Sequence, residues 1–164
     1  MFDRVTNWAF DLVPRFRPPA DYAQLCARIH RRDGIVVPVA GAPDVTVDLY
    51  RPGSGDGPFP VVVWAHGGGY VTGRRTLPEH LATALADEGF MVAALGYTLP
   101  PFALYPVPVL QTLAVARWVA DGGAGPQADA GRIALAGDSA GAQIAGQVAA
   151  LVTNPRLADA MELD

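Results

Sequence analysis

Several features that mark large classes of protein are missing from this sequence. A single cysteine, Cys26, leaves no partner for an intrachain disulfide, and a structural zinc site usually takes at least two cysteines. Charged residues make up only 17% of the 164 residues, which excludes a disordered charged tail. The net charge of −4 gives no basic face for nucleic acid. The 51% of apolar residues instead predicts one compact domain.

Long apolar stretches are missing as well. No window approaches the roughly 18 consecutive apolar residues of a membrane span, and Asp3 and Asp11 interrupt the N-terminus where a secretory signal would be apolar. Residues 1–16 are nevertheless rich in aromatic side chains. We interpret them as a helix docked on the body of the protein, with a membrane-surface anchor as the alternative. A cytoplasmic location is the expectation.

The periodicity of apolar residues changes along the first 60 residues. Residues 19–32 show helical spacing between a proline and a glycine, which predicts a helix. The β-branched runs 35–39 and 45–50 predict two neighbouring strands. Residues 51–60 are rich in glycine and proline and predict a loop.

Strands and helices alternate in the rest of the chain. Continuous apolar runs predict three strands buried on both faces, at residues 61–64, 90–95 and 133–136. This alternation predicts an α/β fold, a mostly parallel sheet flanked by helices with right-handed crossovers. Thr76 and Glu79 match a capping box at the start of the first crossover helix. The expected buried stripe of that helix comprises Leu77, Leu81, Ala84 and Leu85. The last helix is expected to bury Ile144, Val148, Leu151 and Val152.

A G-x-S-x-G sequence, Gly137–Gly141, joins the third buried strand to a helix. Such a turn lifts one hydroxyl out of the sheet, and its glycines avoid collisions with the neighbouring elements. The backbone N–H of Ala140 would then point at an oxyanion formed beside Ser139. The alternative is an ordinary glycine-rich turn. The other serine, Ser54, lies in a loop without this setting, so Ser139 is the candidate nucleophile.

A second glycine-rich motif, His66-Gly67-Gly68-Gly69, follows the first buried strand. Glycines leave the backbone N–H groups open to a reacting carbonyl oxygen, although a loop can also need glycine only for its backbone angles.

The segments HGGGYVTG, FMVAALGY and LAGDSAGAQIA resemble the hormone-sensitive lipase-like α/β-hydrolases, the family IV carboxylesterases. The resemblance spans about residues 35–155. It implies hydrolysis of short-to-medium acyl esters without a metal or cofactor, with a small-molecule ester as partner. It also implies a helical cap segment over residues 1–33 and an incomplete α/β-hydrolase core over residues 34–164.

The same resemblance assigns roles to individual residues. Ser139 would be the nucleophile, and the N–H groups of Gly68, Gly69 and Ala140 would form the oxyanion hole. Gly67 is a weaker candidate for that hole. The side chains of His66 and Asp138 would support the loop, and His66 would not act as the base.

Two departures from the family pattern stand out. The family usually carries D-Y-R-x-A-P-E where this chain has Gly96-Tyr97-Thr98-Leu99-Pro100-Pro101, so the polar bracing of the loop is expected to differ. The family triad runs Ser, Asp or Glu, then His, yet no histidine follows Ser139. His30 and His80 are expected to be exposed. The acidic residues Asp159, Glu162 and Asp164 are expected to form a solvated tail.

Three hypotheses therefore stay open. The chain is the N-terminal part of a carboxylesterase, or a non-catalytic small-molecule binding module, or an inactive fragment that another chain completes. The third hypothesis includes self-association through a bare apolar edge at Ile133–Ala136.

Overall fold

The computed structural model describes residues 18–160, so the helix expected at residues 1–16 and the acidic residues Glu162 and Asp164 lie outside the described part. The strands are β1 (Ile29–Val37), β2 (Val45–Pro52), β3 (Phe59–Ala65), β4 (Met91–Gly96) and β5 (Ala128–Gly137). The helices are α1 (Tyr22–Ala27), α2 (Glu79–Asp87), α3 (Val107–Ala120), α4 (Ala140–Thr153) and α5 (Pro155–Ala160).

All five strands form one mixed sheet in the order β1-β2-β4-β3-β5. The hairpin β1–β2 is antiparallel, β2 pairs antiparallel with β4, and β4, β3 and β5 run parallel. Helix α2 covers one face of the sheet, while α3 and α4 cover the other. The predicted α/β fold is confirmed.

Burial on both faces explains the unbroken apolar runs of the central strands. Val63 and Ala93, on β3 and β4, are fully buried in the larger core, and Val92 and Ala94 are fully buried in the smaller one. Parallel strands bring their carboxyl ends to one edge of the sheet, and the two glycine motifs lie at that edge. On its other side, β5 has no neighbouring strand within residues 18–160.

The helix predicted over residues 19–32 is shorter than expected, since α1 ends at Ala27 and the basic run belongs to β1. Backbone pairing with β2 from Ile29 onward stabilises the strand, and the edge position lets its polar side chains reach solvent. Arg31 also stacks over the ring of Tyr50, with 4.9 Å from guanidinium to ring centroid. His30 is exposed on this strand, as expected. The assignment of residues 1–33 to a cap stays a prediction.

The start of α2 also differs from the prediction. The helix begins at Glu79 after Pro78, so Thr76 lies outside it and no capping box forms. The small residues Ala82 and Ala86 face the sheet and allow a close approach, whereas the predicted Leu77 and Leu81 are 54% and 43% exposed. The predicted buried stripe is therefore wrong at Leu77 and Leu81, while Leu85 is half-buried against the smaller core, as predicted.

The nucleophile helix α4 agrees with its pattern in all but one position. Ile144, Val148 and Leu151 are buried against the sheet, as predicted, whereas Val152 is exposed. None of the helices described between residues 18 and 160 is long and apolar enough to cross a membrane.

Candidate active site

The candidate nucleophile occupies a strained turn between β5 and α4. Ser139 has φ +50° and ψ −114°, a combination that residues with a Cβ rarely adopt. Its side chain makes no capping hydrogen bond to α4, and the residue is exposed. The turn therefore presents the Ser139 hydroxyl to solvent at the carboxyl edge of the sheet.

The glycines flanking Ser139 are required by close packing against the end of β3. A Cβ on Gly141 would overlap the carbonyl oxygen of Ala65, and one on Gly137 would lie 2.5 Å from the same oxygen. Only glycine lets the turn and the strand approach this closely. This is the collision that the motif predicted.

The His66–Gly73 loop folds back on itself through residues with positive φ. Gly68 and Gly69 have φ of +127° and +60°, and Tyr70 has φ +63°. The carbonyl oxygen of Gly68 accepts hydrogen bonds from the N–H groups of Val71 and Thr72, both at 3.1 Å. The resulting tight turn leaves Gly69 exposed and Gly68 half-buried. We call residues 66–73 the oxyanion loop, after the role that the resemblance implies for them.

One hydrogen bond joins the oxyanion loop directly to the nucleophile turn. The N–H of Gly67 donates to Oδ1 of Asp138 at 2.9 Å. This bond engages the N–H of Gly67, which favours Gly68 and Gly69 as the donors of this loop. A contribution of Gly67 to the oxyanion hole stays a prediction. A second contact runs from the hydroxyl of Tyr70 to Oε1 of Gln143 on α4, at 3.3 Å.

The backbone donors that stay available lie on both sides of the turn. Ala140 is the first residue of α4, and the first N–H groups of a helix have no intrahelical acceptor. Its N–H lies at the N-terminus of α4, where negative charge is favoured. The N–H groups of Gly68 and Gly69 belong to the neighbouring loop, which the Gly67–Asp138 hydrogen bond joins to this turn.

The His66 side chain supports the loop from beneath. It is buried, its ring stacks on Tyr97 with 4.1 Å between centroids, and its Nδ1 lies 2.8 Å from the carbonyl oxygen of Gly67. A carbonyl only accepts, which assigns the proton to Nδ1. The hydroxyl of Tyr97 donates to the His66 carbonyl oxygen at 3.0 Å. Burial holds the pKa of His66 below its ordinary value, so the ring stays neutral.

None of the three histidines is hydrogen-bonded to Ser139. Nε2 of His66 is buried without a hydrogen-bond partner among the described residues. His30 lies on β1, at the opposite edge of the sheet from β5. His80 is half-buried, contrary to the prediction of exposure, because its ring packs edge-on against Tyr22 at 4.4 Å. Asp159 is exposed on α5, as expected for a solvated residue.

A buried amide holds the segment after β4, where this chain differs from the family motif. Gln111 on α3 is fully buried, and its Oε1 accepts from the N–H of Thr98 at 2.7 Å. Its Nε2 donates to Thr98 Oγ1 and to the Pro43 carbonyl oxygen, both at 2.8 Å. The segment after β4 is thus held by hydrogen bonds to Gln111 and not by charged side chains of the family motif. Gln111 belongs to none of the sequence motifs, although an amide within the apolar pattern of α3 is a signal that could have identified it.

Two other features of the described residues complete the site's surroundings. A groove of about 520 Å³ lies between the end of β1 and α3, and its lining includes Trp118 but neither the oxyanion loop nor Ser139. Within residues 18–160, no group of three or more His, Cys, Asp or Glu side chains could hold a metal ion.

Comparison with known proteins identifies the family to which this chain belongs. A family model described as alpha/beta hydrolase fold matches residues 62–160, more than half of the chain. The chain therefore belongs to the α/β-hydrolase fold family. Within that fold, its esterase relatives confirm the resemblance to the hormone-sensitive lipase-like, family IV carboxylesterases.

The similar proteins are esterases that are longer than this chain. Carboxylesterase NlhH of Mycobacterium tuberculosis is 37% identical over 112 residues, which cover 68% of this chain and 35% of NlhH. EstE1, a thermostable carboxylesterase cloned from a metagenomic library, superposes with a TM-score of 0.73 at 30% identity, covering 94% of this chain and 49% of EstE1. Esterase B of Lactobacillus rhamnosis, in an inhibited form, gives a TM-score of 0.79 at 26% identity, covering 98% and 52%. The chain thus spans about a third of NlhH and half of each structure.

Proposed function

We propose that this chain carries the nucleophile and the oxyanion hole of a carboxylic ester hydrolase. Ser139 is the nucleophile, and the N–H groups of Gly68, Gly69 and Ala140 hold the oxyanion. The hydrogen bond between Gly67 and Asp138 is the observation that carries the proposal, because it ties the donor loop to the nucleophile turn. A glycine-rich loop used only for its backbone angles has no need of that link.

The reaction proceeds by acyl transfer to Ser139. Its Oγ forms a bond to the ester carbonyl carbon, and the carbonyl oxygen takes up the negative charge opposite the three N–H groups. Collapse of this intermediate breaks the bond to the alcohol, which leaves with a proton. Water then hydrolyses the acyl-serine and restores the hydroxyl.

The base that takes the Ser139 proton is the open part of the proposal. No histidine hydrogen-bonds Ser139, and removing a triad base typically costs about 10⁴-fold or more in rate. We propose that the acid and base belong to a longer carboxylesterase of which this sequence is a part. Reading the DNA downstream of codon 164 tests this: an open frame with an Asp and a late His supports it, and an immediate natural stop refutes it.

Covalent labelling tests the nucleophile. A fluorophosphonate should modify one serine per chain, located at Ser139 by peptide mass spectrometry. Ser54→Ala should label like the original chain, and Ser139→Ala should not label. Equal labelling of Ser139→Ala, or modification elsewhere, would overturn the assignment.

The pH dependence of acylation tests for the base. Without an imidazole base, the rate of p-nitrophenol release from p-nitrophenyl acetate should rise steadily with pH from 6 to 9. A plateau that begins near pH 6.5, the ordinary pKa of histidine, would instead reveal a histidine that acts on Ser139.

A non-catalytic binding module is the second candidate, favoured by the lack of a histidine contact at Ser139. It predicts that a stable ester analogue binds the original chain and Ser139→Ala with the same dissociation constant. It also predicts no covalent modification of Ser139 by fluorophosphonate. Stoichiometric, rapid labelling refutes this candidate.

We also propose that the isolated chain self-associates through the open edge of β5. On this strand Ile133 and Leu135 are half-buried, and Ala134 is exposed. An unpaired strand edge favours pairing with another chain. Light scattering at tens of micromolar should detect particles larger than a monomer, and a monodisperse monomer refutes the proposal. A cytoplasmic location stays a prediction.

A further inference from the structure

The oxyanion loop ends beside an ion pair that the mechanism above does not use, between the half-exposed Arg75 and a buried carboxylate. Asp48 on β2 is fully buried, and its Oδ1 accepts a hydrogen bond from Nε of Arg75 at 2.8 Å. The same oxygen accepts from the N–H of Gly34 at 2.8 Å. Arg31 lies 3.8 Å from the other carboxylate oxygen. A buried carboxylate is costly without such partners, so Asp48 holds Arg75 firmly.

Arg75 follows the oxyanion loop by two residues. Gly73, the last residue of the loop, has φ +113°, and a Cβ there would overlap the His66 ring. The last residue of the loop, Gly73, is therefore packed against the side chain of its first residue, His66. Because only one residue separates Gly73 from Arg75, fixing the arginine fixes where the loop leaves the site.

The loop is thus held at three points around its donors. His66 and Tyr97 hold its entry, the Gly67–Asp138 hydrogen bond ties it to the nucleophile turn, and the pair of Arg75 with Asp48 holds its exit. The two donors, Gly68 and Gly69, lie between the second and third points. Both are glycines with positive φ, and because they have no Cβ, backbone sterics alone do not fix their conformation. The anchors on either side determine where their N–H groups point.

The departure at Gly96 fits this arrangement. The family pattern that the sequence resembles has an aspartate at this position, which lies at the end of β4. Here the Cβ of Arg75 lies 3.5 Å from the place that a Cβ of Gly96 would occupy. The carboxylate that Arg75 binds belongs to Asp48 on β2, the strand next to β4.

We propose that Arg75 is a positioning residue for the oxyanion hole, acting through its ion pair with Asp48. This inference rests on the proposed function. It differs from a purely structural role, in which the pair would only hold the segment around Arg75 against β2. A positioning role predicts a loss in the chemical step, whereas a structural role predicts a loss in stability alone.

Phosphonylation kinetics separate the two roles. Arg75→Gln should lower the maximal rate of Ser139 phosphonylation by about 10- to 100-fold, because misplaced oxyanion donors act on the transition state. The concentration of fluorophosphonate that gives half this rate should change less than about three-fold, since the loop does not set initial binding. Arg75→Lys, which keeps the charge, should recover part of the rate.

Two further variants control the experiment. Arg28→Gln breaks an exposed ion pair with Asp87, 2.7 Å long, and should label at the original rate. The double variant Arg75→Gln/Asp48→Asn leaves no unpaired buried charge. Its maximal rate of phosphonylation should fall by the same factor as that of Arg75→Gln. A maximal rate within about two-fold of the original in folded Arg75→Gln overturns the proposal. Recovery of the full rate in the double variant overturns it too.

Amide hydrogen exchange keeps the test independent of activity. Arg75→Gln should exchange the amides of residues 68–72 at least about ten-fold faster, while Arg28→Gln leaves them unchanged. If the original chain does not label, the proposed function fails. Unchanged exchange in Arg75→Gln then overturns the positioning role separately.

Discussion

The backbone of Ser139 gives a measurable stability prediction. At φ +50° and ψ −114° the Cβ crowds the backbone, and such a conformation costs roughly 1–3 kcal/mol. Glycine relieves this strain, but it also gives the unfolded chain more conformational entropy, which costs about 0.4–1 kcal/mol. The net effect should favour glycine over alanine at this position by about 1 kcal/mol. Both substitutions remove the hydroxyl, so their difference isolates the Cβ.

Urea unfolding of Ser139→Gly and Ser139→Ala measures this difference. For a chain of this size, about 1 kcal/mol corresponds to a rise of roughly 2–4 °C in Tm. Ser54 provides the matched control, because it is exposed and lies outside the positive-φ region. Glycine at position 54 should be no more stable than alanine. If Ser139→Gly is not more stable than Ser139→Ala, the turn is not strained and the reasoning fails.

Three other predictions test the packing around the site. Gly141→Ala should lower the free energy of unfolding by about 1–3 kcal/mol, because the added Cβ overlaps β3. Gly146→Ala, which has open space at its Cβ, should raise the free energy of unfolding by about 0.5–1 kcal/mol. Urea unfolding that ranks the two variants the other way contradicts the packing. Burial lowers the pKa of His66 in the folded state, so below about pH 6.5 the unfolded chain binds more protons than the folded chain. The contribution of His66 to the free energy of unfolding is therefore fully present above that pH and is lost as the pH falls. His66→Gln should flatten this fall between pH 7 and 5.5, as read from urea midpoints, and an unchanged fall would contradict the burial of the ring. Gln111→Met should cost about 2 kcal/mol by urea unfolding, since it leaves buried backbone groups unpaired; a neutral effect would contradict the network.

Local steric rules account for what could be predicted from the sequence. The apolar runs of β3 and β4 predict strands buried on both faces, and the sheet buries them. The glycines beside Ser139 predict a close approach, and the carbonyl of Ala65 supplies the neighbour. Each of these inferences depends on residues within a few positions of one another, so the pattern contains the information.

Contacts between distant residues account for what could not be predicted. The basic run after Ala27 has helical spacing, but pairing with β2 makes it a strand, and that pairing is invisible in the run itself. Gln111 binds the carbonyl of Pro43, 68 positions away, and Asp48 binds Arg75, 27 positions away. Such bonds depend on the completed sheet, which sets the partners of buried polar groups only after folding.

The arrangement of the site separates charge stabilisation from proton transfer. The proposed oxyanion donors lie in a loop that groups within the described residues hold, chiefly His66 and Asp138. Proton transfer has no such support, because the His66 ring is committed to the loop and His30 lies four strand spacings from β5, or roughly 19 Å. An oxyanion hole without its triad still accelerates acyl transfer by about 10³-fold or more over water. Under the proposed function, the donor loop alone would therefore sustain a slow reaction at Ser139, and a base from elsewhere would raise the rate without rebuilding the loop.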